Sequence, residues 1–119
     1  MAENREKHSH GNGNKIMNDI MPLVKQYVDK VSLSGIDVSG AILFGSWARG
    51  NPRPESDIDI CIISPQLGKD WVEEIVRLRQ LAFDIDNRIE PIPFTPAGIA
   101  DKFNPLANEI IKFGVKIRP

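Results

Sequence analysis

Gly45-Ser46-Trp47-Ala48-Arg49-Gly50, followed after a short loop by Ser56-Asp57-Ile58-Asp59-Ile60, sets a small-residue turn upstream of two carboxylates spaced two apart. Those residue types suit one kind of chemistry. A glycine-serine turn offers backbone N–H groups and a hydroxyl to phosphate oxygens, and paired carboxylates are hard ligands for a divalent cation such as magnesium. Strand side chains alternate between faces, so Asp57 and Asp59 share one face while Ile58 and Ile60 point into packing. Two carboxylates on one face repel each other unless a cation lies between them. A lone Asp-x-Asp is usually just solvated. The Gly-Ser turn on the preceding strand lifts this one out of that ordinary class.

Phosphoryl-transfer chemistry needs a phosphate cradle, metal ions to offset charge, and a carboxylate near the attacking hydroxyl. Gly45 allows close approach of a phosphate, Ser46 donates its hydroxyl, and the start of the following helix adds its dipole. The third carboxylate has to come from a later strand. Asp84, Asp86 and Glu90 share one alternation parity with Arg88, so strand geometry leaves the three acids open. Glu90 is chosen because it stands in the most apolar stretch, with Ile89, Ile92 and Phe94; Asp86, at the helix-to-strand junction, is the next candidate. The competing reading pairs Glu90 with a surface arginine, Arg53 or Arg88. Arg49 and Arg53 flank the turn and suit a triphosphate or a surface ion pair equally well. Trp47 suits base stacking or a protein partner, although an aromatic at a helix start more often packs against its own core.

Alternating elements position these residues. Ile16, Ile20, Leu23, Val24, Tyr27, Val28 and Val31 recur at helical spacing, with Pro22 in the first turn, Asn18 or Asp19 as cap, and Ser34-Gly35 as the stop. Val38 to Phe44 reads as a buried strand, Ser46 to Gly50 as a short helix, and Asn51 to Ser56 as a Pro-broken loop. Asp57 to Ile63 is the next strand. Lys69 to Phe83 is helical, with Trp71, Ile75, Leu78 and Ala82 on one face, supported by Val72 and Val76. Arg88 to Phe94 is a third strand whose Pro91 and Pro93 demand an edge or irregular position. Thr95-Pro96 and Pro105 open two short helices, Gly114 ends the second, and Val115 to Ile117 forms a terminal strand.

A chain of 119 residues, 41% hydrophobic and 26% charged, fits one globular domain, read as residues 15–119 behind a polar tail at residues 1–14. His8 and His10 in that tail lack further partners and read as solvated. A net charge of -1 without a basic block argues against a nucleic-acid binder that works through phosphate electrostatics. The single cysteine, Cys61, excludes an intramolecular disulfide and reads as a buried small hydrophobe. With no secretory or membrane-length apolar segment, the expected compartment is the cytoplasm and no membrane association is expected.

At these residues the chain resembles the nucleotidyltransferase branch of the DNA polymerase beta superfamily, and most of all its stand-alone minimal nucleotidyltransferases. Their pattern of Gly-Ser-x-x-x-Gly, a loop, Asp-x-Asp and a later acid falls on Gly45, Ser46, Gly50, Asp57, Asp59 and Glu90. Ala48-Arg49-Gly50 and Ser56-Asp57 match the fuller form, over roughly residues 38–117. Glutamate stands at 90 where many members have aspartate, and Pro91 follows it. The resemblance implies an α+β fold of polymerase-beta type, with a mixed sheet and helices on one side. It implies two magnesium ions held by Asp57 and Asp59, with Glu90 completing the second site, and nucleotide binding by Gly45, Ser46, Arg49 and Gly50. The implied reaction moves a nucleoside monophosphate, AMP from ATP first of all, to a hydroxyl and releases pyrophosphate. Relatives that modify small molecules or extend RNA carry a further domain for the acceptor, for which this chain is too short. That turns the expectation toward a homo-oligomer or a HEPN-domain partner, with the chain as an antitoxin that adds AMP to a toxin tyrosine. The alternative is a non-catalytic nucleotide-binding or partner-capping module; three intact acids weigh against it. A template-directed polymerase fails on size and charge.

Overall fold

The structure is a computed structural model that describes residues 19–117. The polar stretch 1–14, with its two histidines, and Asn18 lie outside the described residues. The first described helix, α1 (residues 19–33), already includes Asp19, so that residue is helical rather than a cap. Its apolar stripe of Ile20, Val24, Tyr27 and Val31 is buried, and Gly35, at φ 101°, makes the left-handed exit that stops it.

The strands and helices then follow in the order β1 (Gly40–Phe44), α2 (Ser46–Arg49), β2 (Ile58–Ile63), α3 (Trp71–Ala82), β3 (Ile89–Phe94), α4 (Pro96–Ile99), α5 (Pro105–Phe113) and β4 (Val115–Lys116). They build a four-stranded mixed sheet in the order β3-β2-β1-β4. β1 runs antiparallel to both β2 and β4, whereas β2 and β3 are parallel and joined through α3, a crossover that parallel pairing requires.

The alternation read from the strands places two apolar layers on the sheet. Ala41 and Leu43 of β1 and Ile58, Ile60 and Ile62 of β2 meet α1 and the α3 residues Leu78 and Ala82 on one face. Ile42, Phe44 and Cys61 meet Ile99 of α4 and Ala107 and Ile110 of α5 on the other. The helices therefore cover both faces rather than the one side expected. A strand buried on both faces reads as a continuous apolar run, and β1 and the part of β2 beyond Asp59 are such runs. Each fully buried side chain of this size, Leu78 or Ile60 for instance, stabilises the fold by roughly 1.5–3 kcal/mol. Tyr27 is buried against α3 and donates its hydroxyl to the Leu78 carbonyl at 2.9 Å, which answers the cost of burying a phenol. Burial pushes the Cys61 thiol up to about 12, so it behaves as the small hydrophobe expected.

One departure concerns α3, whereas β3 takes the edge position that its prolines demand. Only Leu78 and Ala82 of α3 are buried; Trp71, at 55% exposure, Val72 and Val76 face solvent, so the covered stripe is narrower than the periodicity suggests. The prolines of β3 fit the edge for a specific reason. Ile58 N–H donates to the Arg88 carbonyl and Ser64 N–H to that of Phe94, at 2.8 and 2.9 Å, so the even-numbered residues of β3 address β2. Pro91 and Pro93 have the other parity and turn their missing N–H toward the open edge, where no ladder bond is lost.

Candidate active site

Asp59 lies at the start of β2, level with Phe44 at the end of β1 and with Glu90 on β3. Residues in register on neighbouring strands share a face, so the Asp59 and Glu90 carboxylates emerge side by side on the α4 and α5 face. Asp57 precedes the first strand residue by one position and is exposed, while Asp59 is half-buried. Burial, reinforced by the nearby charges of Asp57 and Glu90, raises the Asp59 carboxyl to about 6. That rise marks a place short of positive charge.

The turn between β1 and α2 closes against this carboxylate. Gly45 has φ 75° and ψ -154°, a conformation confined almost wholly to glycine, and a Cβ there would collide with Asp59 Oδ2. The glycine is thus demanded by the fold itself: it lets the β1 end pass directly over Asp59. α2 is a single turn, ended by the left-handed Gly50 at φ 81°. Its first N–H groups have no partner within the helix, and Ser46 stands half-buried beside them.

The loop leading to Asp57 is pinned from below. Trp47 is buried and its indole N–H donates to the Ser56 carbonyl at 3.2 Å, while Ser56 Oγ accepts from Arg53 N–H at 2.8 Å. The Arg88 guanidinium lies 5.7 Å from the Trp47 ring and donates to the Pro54 carbonyl at 3.1 Å. Trp47 thus takes the packing role, not a base-stacking one. Arg88 is in turn gripped by Asp86, through Nε to Oδ1 at 3.0 Å and Nη2 to Oδ2 at 2.7 Å, which holds the Asp86 carboxyl below its usual range. Of the two candidate third acids, Asp86 is committed to this clamp, and Glu90 is the one in register with Asp59.

Arg49 turns toward α5: Nη2 lies 3.4 Å from Glu109 and the guanidinium sits 5.2 Å over the Phe113 ring. This is the surface ion pair that the sequence left open, and it ties α2 to α5. Glu90 is also paired with an arginine, but neither Arg53 nor Arg88. Its Oε2 accepts from Arg79 Nη2 of α3. Sequence reasoning passed over Arg79. The signal was its place one residue beyond buried Leu78 on the helix that crosses between β2 and β3, from which a long cationic side chain reaches a strand acid.

The donor chemistry fits a hard divalent cation at Asp57 and Asp59, two carboxylate ligands with no basic side chain between them in the chain and a raised Asp59. Among the described residues no three acids converge closely enough to hold an ion as their side chains stand. Of the three, Glu90 is the one whose carboxylate is paired with an arginine, Arg79. A cleft of about 200 Å³ opens next to this pair, bordered by Arg79, Phe83, Asp86 and Glu90.

Comparison with known proteins identifies the family of the chain. The profile of the family described as Nucleotidyltransferase domain matches residues 24–115. The chain is 32% identical over 109 residues to a protein of Methanocaldococcus jannaschii provisionally named a protein adenylyltransferase, covering 87% of this chain and 69% of that one. The fold is similar to the crystal structure of a provisionally named nucleotidyltransferase from Sulfolobus solfataricus, with a TM-score of 0.62 at 20% identity over 88% of this chain and 85% of that one. It is also similar to a chain in a mutant form of the MntA-HpeT toxin-antitoxin, with a TM-score of 0.52 at 20% identity over 86% and 72% of the two chains. With its family profile, its relative and its fold all pointing the same way, the chain belongs to the nucleotidyltransferase domain family.

Proposed function

We propose that the protein transfers AMP from ATP to a hydroxyl and releases pyrophosphate. The observation that carries this reading is the β2–β3 register, which sets Asp59 beside Glu90 at the end of β1 where Gly45 turns. Asp57 and Asp59 would hold magnesium, with Glu90 completing a second site, and the bound ions would offset charge on the phosphates in the transition state. Gly45, Ser46 and Gly50 line the turn that receives the phosphates. Arg49 joins them by leaving Glu109, an exposed pair worth about 0–1 kcal/mol. The acceptor oxygen forms its bond to the α-phosphorus as the bond to the pyrophosphate oxygen breaks, and Glu90 takes the hydroxyl proton.

A protein hydroxyl is the acceptor we favour, a tyrosine of a HEPN-type toxin partner, with the chain as antitoxin. The name of the Methanocaldococcus relative and the toxin-antitoxin neighbour support that direction. The test is transfer of label from α-labelled ATP to a co-purified partner in the presence of magnesium. Label should appear with the wild-type chain and vanish with Asp57→Asn/Asp59→Asn. Glu90→Gln should cut the rate roughly 100-fold or more while nucleotide affinity changes far less. Wild-type turnover in Glu90→Gln would move the third-acid role elsewhere. Magnesium-dependent nucleotide binding with no transfer to any partner would favour the non-catalytic module instead.

A further inference from the structure

Arg79 is the cation that the acidic site already has. Its guanidinium pairs with Glu90, and Asp57 as well as Glu90 helps to hold its proton, so it stands within electrostatic reach of two of the three acids. β3 delivers Glu90 to Asp59 by backbone register, yet the three carboxylates do not converge. The backbone has therefore done its part, and what distinguishes Glu90 is that its carboxylate is engaged by the Arg79 guanidinium. Arg79 is half-exposed and borders the cleft beside Glu90, so its side chain has room to leave without disturbing the core around Leu78 and Ala82.

We propose that Arg79 is a positioning residue that latches Glu90 off the metal site, and that the third acid joins Asp57 and Asp59 only when this pair opens. The inference rests on the reading of Glu90 as third acid. An exposed arginine-carboxylate pair is weak enough to be exchanged for a divalent ion, which binds carboxylates more strongly than a solvated guanidinium does. In this arrangement the site avoids three unbalanced carboxylates while empty and gains a ligand as metal enters.

The experiment measures manganese binding to the nucleotide-free full chain by the loss of the free-ion signal in electron paramagnetic resonance. Four proteins are compared: wild type, Arg79→Gln, Glu90→Gln and the double variant. Opening the latch should tighten manganese binding roughly fivefold in Arg79→Gln, from the loss of one weak pair and one nearby like charge. Glu90→Gln should weaken binding, and the double variant should match Glu90→Gln alone, because the latch acts only through Glu90. An Arg79→Gln affinity equal to or weaker than wild type overturns the latch while leaving the third acid in place. The same tightening in the Glu90→Gln background also overturns it, since the effect would then be plain charge removal. Unchanged binding in Glu90→Gln defeats the third-acid reading and the latch with it.

Discussion

A side chain at position 45 has nowhere to go: the backbone there adopts φ 75°, and a Cβ would meet the Asp59 carboxylate. Strained backbone of this kind costs on the order of 1–3 kcal/mol for a residue other than glycine, before any collision is counted. Gly45→Val should therefore destabilise the fold by roughly 3 kcal/mol or more and displace Asp59 along with it. Ser46→Ala removes one hydroxyl beside the turn and should cost within about 1 kcal/mol. Urea unfolding of the two variants ranks them, and adding Asp59→Ala to Gly45→Val should recover part of the loss. Equal stabilities would mean that the turn is not built around the Asp59 contact. From sequence alone this glycine suggested room for a phosphate. The structure adds that room for the strand acid is required first.

Strands and helices were largely legible because each carries its own period or its own punctuation. β1 and the part of β2 beyond Asp59 are apolar runs ended by Gly45 and Ser64, and α4 and α5 open on Thr95 and Asn104, whose side chains accept from Gly98 N–H and from Leu106 and Ala107 N–H. The exposed Trp71 shows where periodicity fails: it says which residues share a helix face, not how much of that face is covered. Helices on both faces were likewise hidden, since a run such as Ile60-Cys61-Ile62 is equally apolar whatever covers it. Pairings between elements were the least legible. Arg88 with Trp47 and Pro54, and Arg79 with Glu90, depend on tertiary geometry that no local spacing encodes. The first of these clamps the loop that feeds Asp57 into β2. Arg88→Ala should loosen residues 51–56, cost about 1–2 kcal/mol and let water reach Trp47. In a Trp71→Phe background, where Trp47 is the remaining tryptophan, its emission should shift to the red. Unshifted emission with unchanged stability would show that Arg88 pins nothing.

For the molecule as a whole, the acidic site is a place where function opposes stability. Asp59 titrates near 3.8 in an open chain and about 6 in the fold, raised by burial and by the charges of Asp57 and Glu90. Between those values the folded chain keeps a proton that the unfolded chain has released. Its contribution to stability is then full below about pH 4 and lost as pH rises through about 6. Through this group the metal-free protein should accordingly melt at a lower temperature at pH 8 than at pH 5, and half-exposure of the site keeps the effect modest. Asp59→Asn removes the titration, so it should raise the melting temperature at pH 8 and narrow the difference between the two pH values. Magnesium binds the ionised form and should raise the wild-type melting temperature at pH 8, with a much smaller rise at pH 5 and almost none in Asp57→Asn/Asp59→Asn. Thermal melts across that pH range, with magnesium and with a chelator, read all of these together. A marked fall in melting temperature for Asp59→Asn without metal would make this carboxylate a structural group, and would remove the electrostatic reason for a cation between Asp57 and Asp59.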